Sequence, residues 1–250
     1  MIIDSHLHLP YEYTELAVKR AVLLDELKYN GVDKGIVIAD SYLESCIGST
    51  KECEELFADS KTVRVIAGVS PLVDFDAQLG YCRELLAENR IAGLKIYTGH
   101  EKFFCNDTRL DAVYDLALEY RVPVLFHTGW DDSQYAAPTV MRELAMKRRN
   151  NIFVYCHCFY PKLDECFEKL LDCENVYFDT SSIADDAELI PKIKHLLEKG
   201  ISAAPERFIF GSDYGSCSQK AHLEFAASLD INDIQRELLM HKNAEKVYNL

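Results

Sequence analysis

Four histidines and one aspartate stand where apolar, strand-like runs of this chain end. They are His6 and His8 in MIIDSHLHLP, His127 in VPVLFHTGW, His157 in NIFVYCHCFY and Asp213 in RFIFGSDYG. Imidazole nitrogens and carboxylate oxygens are what a borderline divalent cation such as zinc binds. Any one of these residues alone reads as a capped or hydrogen-bonded strand end. Together, at four separate strand ends, they read as a metal centre. The expected cofactor is a divalent cation, zinc first and manganese second, with one ion favoured and two allowed. Asp213 adds a second capability, because a carboxylate beside an ion also accepts a proton from water.

The elements that must position these residues alternate in kind. Strand-like runs rich in Val, Ile and Phe cover Ile2–His6, Lys34–Ala39, Val63–Val69, Ala92–Tyr97, Val122–His127, Ile152–His157, Val176–Asp179 and Phe208–Gly211. Between them, helical periodicity marks Thr14–Asn30, Asp76–Asn89, Thr108–Tyr120, Thr139–Lys147, Lys162–Leu171 and Ala187–Lys199. The tail from Asn232 to Asn249 reads as a closing helix. Strict alternation predicts a parallel sheet covered by helices. Eight repeats predict its closure into a single (β/α)8 TIM barrel, one domain over residues 1–250. No GxGxxG or GxxxxGK[ST] follows a strand, which disfavours an open doubly wound sheet.

Strand parity refines the picture. Residues two apart share a face, so Asp4, His6 and His8 are expected together, as are Phe153, Tyr155 and His157. Leu125 and His127 form a third such set, and Ile209, Gly211 and Asp213 a fourth, with Gly211 leaving room for ligands to converge. Cys156 and Cys158 flank His157 and on this reading face away from it, as small buried hydrophobes.

Composition excludes several function classes. The 250 residues are 48% hydrophobic and carry a net charge of −14, which disfavours nucleic acid and anionic membranes as partners. No run approaches the roughly 20 apolar residues of a membrane span, and MIIDSHLHLP lacks the form of a secretory signal. Nine cysteines without a CxxC pair fit a reducing, cytoplasmic setting. The expected partner is a small-molecule substrate, and a homodimer is allowed.

The order HxH, His, His, Asp along the strands resembles the amidohydrolase superfamily. The phrases IDSHLH, GLKIYTG, VPVLFHTG, FGSDYG and KNAEKVY, spread from Ile3 to Tyr248, resemble its amidohydrolase-related (amidohydrolase 2) family. The resemblance implies a metal-dependent TIM-barrel enzyme. It puts His6, His8, His127 and Asp213 on the metal, with His157 either a further ligand or acting on substrate from beside it. Asp213 and His157 are then the catalytic pair. Lys95 is either a carbamylated bridge between two ions or, as preferred here, a plain lysine. A plain lysine would hold a substrate carboxylate or pair with an acid such as Asp4.

The expected reaction is hydrolysis of an amide, lactone or other ester of a small carboxylate-bearing substrate. Lys95 and Tyr97 would hold the carboxylate, and Trp130 would line or close the pocket. The alternative is a nonoxidative decarboxylase, which the chain's shortness beside the family's well-studied decarboxylases disfavours. A noncatalytic binding barrel is a third reading, opposed by the retained base Asp213. Asp179 is expected to support a ligand histidine from behind. His100 reads as an exposed loop residue, and His195, His222 and His241 as surface or packing residues on helices.

Overall fold

The computed structural model describes residues 1–130 and 133–250, and over them strand and helix alternate eight times. The first half contains β1 (Ile3–Leu7), α1 (Leu16–Tyr29), β2 (Lys34–Ile38), α2 (Thr50–Phe57), β3 (Val63–Gly68), α3 (Phe75–Ala87), β4 (Leu94–Ile96) and α4 (Asp111–Tyr120). The second half contains β5 (Val124–Phe126), α5 (Pro138–Lys147), β6 (Phe153–Tyr155), α6 (Leu163–Leu170), β7 (Val176–Asp179), α7 (Ile190–Ala203), β8 (Phe208–Ile209) and α8 (Gln219–Ser228).

All eight strands pair in sequence order in one parallel sheet. The seam from β8 back to β1 is closed by backbone bonds from Ser5 N to Phe210 O (3.0 Å) and from Asp213 N to His6 O (2.8 Å). The sheet is a (β/α)8 barrel.

Both faces of the strands are buried, which is why they read as continuous apolar runs rather than alternating ones. Ile3, Ile36, Ile38, Ile66, Leu125, Val154, Tyr177 and Ile209 fill the barrel interior. Val37, Val65, Leu94, Ile96, Phe126, Phe153, Phe178 and Phe208 face the helices. The tail plugs the bottom. It runs as α9 (Asp233–Glu237), a π-helical turn (Leu238–Lys242) and α10 (Asn243–Tyr248), whose Ala244, Val247 and Tyr248 join the interior cluster. The π turn presents Leu239 O to Phe210 N at 2.9 Å. Asn243 Nδ2 donates to Phe208 O and Pro205 O, each at 2.8 Å, so the tail holds the shortest strand in place.

Two helices lie outside the periodic segments read from sequence. These are α2 and α8, and each is announced by its cap. Ser49 and Glu52 form a reciprocal capping box, and Ser218 accepts from Ala221 N. Among the described residues no helix is long and apolar enough to cross a membrane.

Candidate metal centre

The two strands that meet at the barrel seam bring three ligand atoms together. Asp213 Oδ1 lies 3.2 Å from His8 Nε2 and 3.5 Å from His6 Nε2. His6, His8 and Asp213 are all buried, and their ligand atoms lie within 4.8 Å of one another. Among the described residues His6 Nε2 and Asp213 Oδ1 have no hydrogen-bond partner, although both are shielded from water. Orphaned buried polar atoms are costly unless something completes them. Two imidazole nitrogens and a carboxylate oxygen aimed at one point are a donor set that suits a zinc- or manganese-like cation.

The atoms behind the ligands fix their orientation. His6 Nδ1 is bonded to Asp179 Oδ2 at 2.5 Å, and His8 Nδ1 donates to Ile38 O at 2.9 Å. Each bond puts the ring proton on Nδ1 and leaves the Nε2 lone pair free, the arrangement that ligand histidines need. Asp179, at the end of β7, therefore does what the sequence suggested. Ser181 Oγ adds a contact to His6 Nδ1 at 3.1 Å and to His157 Nδ1 at 2.8 Å, a role that no motif announced.

Gly211 explains how the groups fit. A Cβ there would lie 2.5 Å from Asp179 Oδ1 and 2.8 Å from His6 Cβ. Only the absence of a side chain lets β7, β8 and β1 approach this closely.

Two parity expectations are overturned. In β1 the register shifts between Asp4 and Leu7, a bulge that turns Asp4 away from His6 and His8. The Asp4 carboxylate instead accepts from Ser212 N (3.0 Å), Ser212 Oγ (2.5 Å) and Gln219 Nε2 of α8 (2.8 Å). In β6, Phe153 and Tyr155 face the helices while Val154 and Cys156 face inward. His157 reaches the site because the strand ends at Tyr155 and the chain then turns, with φ of 61° at His157, 49° at Cys158 and 61° at Phe159. Three consecutive non-glycine residues at positive φ are strained, and such strain concentrates at functional sites.

His127 stands further out. Its ring centroid lies 5.0 Å from that of His157 and 4.1 Å from that of His100, and it is half-buried. It is not among the three converging ligand atoms. Trp130 stacks against His127 at 5.7 Å and meets His157 edge-on at 5.0 Å, while 41% exposed. It therefore forms a wall of the mouth beside a recess lined by Tyr160, Ser182, Asp185, Asp186 and Glu188.

Lys95 lies deep in the barrel, fully buried. Its Nζ is 3.2 Å from Cys156 Sγ and 5.1 Å from the centre of the Tyr97 ring, not paired with Asp4. The Tyr97 hydroxyl donates to Ala39 O at 3.0 Å. His100 is exposed, as expected, although it packs on His127. His222 is buried and more than packing. Its Nε2 accepts from Ile183 N (3.1 Å) and Ala184 N (3.3 Å), so it pins the loop after β7.

Burial dominates the electrostatics. It pushes the His6 and His127 imidazoles below the usual histidine range and His157 down to about 3, with Lys95 adding to each shift. Asp213 is driven up by burial but lowered more by His6, His8 and His157, so it stays an anion. A histidine neutral when folded but titrating near 6.5 when unfolded contributes stability that is lost as pH falls below 6.5. With metal removed, unfolding stability is expected to drop by ~1.4 kcal/mol per pH unit below 6.5 for His157 alone. Urea midpoints at pH 7.5 and 5.5 check this, and a His157→Gln variant should flatten the slope.

The profile of the amidohydrolase family matches residues 3–250. No curated protein gives a significant match. Among solved structures, the chain is similar to an amidohydrolase with bound zinc from Burkholderia multivorans, at TM-score 0.75 and 15% identity over 100% of this chain and 99% of that one. It is also similar to 5-carboxyvanillate decarboxylase from Sphingomonas paucimobilis, at TM-score 0.71 and 12% identity over 100% and 99%. A third is dihydroxybenzoic acid decarboxylase from Polaromonas with bound manganese and 2-nitroresorcinol, at TM-score 0.68 and 12% identity over 100% and 97%. At these identities the likeness establishes the barrel alone.

Proposed function

The chain belongs to the amidohydrolase family, and on that premise we propose that it is a metal-dependent hydrolase of a small amide, lactone or other ester. The observation that carries this reading is the meeting of His6 Nε2, His8 Nε2 and Asp213 Oδ1, two of them orphaned, at one buried point. Those three residues would hold the cation, with the His157 ring 4.9 Å from that of His6 and the His127 ring a further 5.0 Å from that of His157. When bound, the ion supplies Lewis acidity and lowers the pKa of a coordinated water toward about 7.

The chain's own groups do the rest. Asp213 Oδ2, approached only at 3.9 Å by Cys217 Sγ among the described residues, takes the proton of the attacking water. His157, uncharged and held by Ser181 Oγ at 2.8 Å, stabilises charge on the carbonyl oxygen or assists the leaving group. Asp179 and Ile38 O hold the two imidazoles so that neither rotates during the reaction. Trp130 and Tyr160 wall the mouth and limit the entry of bulk water.

Lys95 and Tyr97 are buried and contact Cys156 Sγ and Ala39 O, so to hold a substrate carboxylate they would have to give up those contacts. Decarboxylation is kept as the second reading because solved structures similar to this chain include decarboxylases. All nine cysteines are free, which supports a reducing, cytosolic location, and we treat residues 1–250 as one catalytic domain.

The test is a panel of lactones, amides and aromatic or β-keto acids, offered to zinc- and manganese-loaded protein and followed for acid release and CO2. Acid release without CO2 is expected. CO2 evolution without ester or amide cleavage would move the assignment to the decarboxylase.

A further inference from the structure

On the loop after β4, Glu101 is a buried carboxylate, 6% exposed, and among the described residues neither Oε1 nor Oε2 makes a hydrogen bond of good geometry. Burial pushes its carboxyl up. The Ser70 and Tyr42 hydroxyls beside it temper that rise, and the nearby Asp40 charge reinforces it. Asp40 is braced from behind by Ser45 Oγ at 2.8 Å and Tyr42 N at 3.3 Å.

Both acids lie at the C-terminal end of the barrel strands, the end that carries His8 and Asp213, Asp40 after β2 and Glu101 after β4. Asp40 directly follows Ala39, whose carbonyl receives the Tyr97 hydroxyl, and comes two residues after Ile38, whose carbonyl orients His8. Glu101 follows His100, whose ring packs 4.1 Å from that of His127.

No lysine or arginine neutralises either acid among the described residues. Among those residues neither Glu101 nor Asp40 takes part in an ion pair, and Lys102, next in the chain, is exposed and pairs with none of them. The buried cations lie elsewhere. Lys19 donates to Cys46 O, Arg207 to Leu171 O and Cys173 O, and Lys95 contacts Cys156. A desolvated carboxylate without a donor is expensive, and it is best satisfied by a charged one.

We infer that Glu101, reinforced by Asp40, is a subsite for a protonated nitrogen of the substrate, an ammonium or guanidinium. An ammonium offers three donors, enough for Glu101, Asp40 and one of the flanking Tyr42 and Ser70 hydroxyls. The inference rests on the barrel mouth being the active site and adds the charge class of what enters it.

Three amides of matched length test it: 4-aminobutanamide as the cation, pentanamide as its neutral isostere and glutaramate as the anion. Trp130, the only tryptophan and a wall of the mouth, reports binding to zinc-loaded protein by its fluorescence. The cation is expected to bind at least about tenfold more tightly than pentanamide, as a charge-assisted hydrogen bond implies, and glutaramate most weakly. Glu101→Gln should bring cation and neutral amide within about twofold of each other while leaving pentanamide unchanged. Asp40→Asn should narrow the gap independently should the first variant fold poorly by circular dichroism.

Equal affinities, a preference for glutaramate, no measurable binding of the cation, or full selectivity in both variants would overturn the subsite. Cation selectivity without turnover of any amide, lactone or ester would leave the subsite standing and remove the hydrolase reading. Turnover indifferent to substrate charge would do the reverse.

Discussion

Asp213→Asn is expected to lower kcat by about 10²- to 10⁴-fold, the usual contribution of a positioned general base, while the fold and much of the metal binding survive. The substitution is clean for a backbone reason. Asp213 sits at φ 65°, a conformation that asparagine tolerates nearly as well as aspartate. Its backbone bonds, from Asp213 N to His6 O and from Ser216 N and Cys217 N to Asp213 O, do not involve the side chain. The amide keeps an oxygen where Oδ1 faces His8 and His6, but it accepts no proton at neutral pH. Steady-state kinetics, circular dichroism and metal analysis on one preparation separate the effects. A variant that kept near-wild-type kcat with full metal would remove Asp213 as the base.

Gly211→Ala should impair the site without removing a ligand. The new methyl would meet Asp179 Oδ1 at 2.5 Å and His6 Cβ at 2.8 Å, so the Asp179–His6 bond must lengthen or His6 must move. Loss of such a supporting carboxylate typically costs about 10- to 100-fold in metal affinity or activity. Overpacking adds about 1–3 kcal/mol of destabilisation. Metal titration of the purified variant, with thermal unfolding alongside, measures both terms. A metal affinity within about twofold of wild type would mean that Asp179 does not govern how His6 binds.

The repeat of strand and helix was legible because each strand is buried on both faces and so appears as an unbroken apolar run. Helices with a long apolar stripe, such as α1 and α4, could be read by period. The helices α2 and α8 could be read only by the Ser49–Glu52 box and the Ser218 cap. His6, His8 and Asp213 were found because their residue types stand where apolar strand-like runs end in the sequence.

Parity failed where the backbone was irregular. The β1 bulge reversed Asp4, and the positive-φ turn after Tyr155 brought His157 inward beside Cys156. Neither irregularity carries a glycine or proline to signal it. Ser181 and Glu101 escaped notice, and His222 was read only as a surface or packing residue, for another reason. Their significance lies in contacts across the barrel, and nothing in their local sequence encodes those contacts.

Metal content is the most direct measurement of the central claim. Protein produced in zinc- and manganese-supplemented medium, desalted and analysed by inductively coupled plasma mass spectrometry, is expected to carry about one transition-metal ion per chain, the stoichiometry of a site built from His6, His8 and Asp213. A His6→Ala, His8→Ala double variant with an unchanged circular dichroism spectrum is expected to carry less than about a tenth of that. A wild-type stoichiometry near zero, or one that the double variant leaves unaltered, would contradict the account.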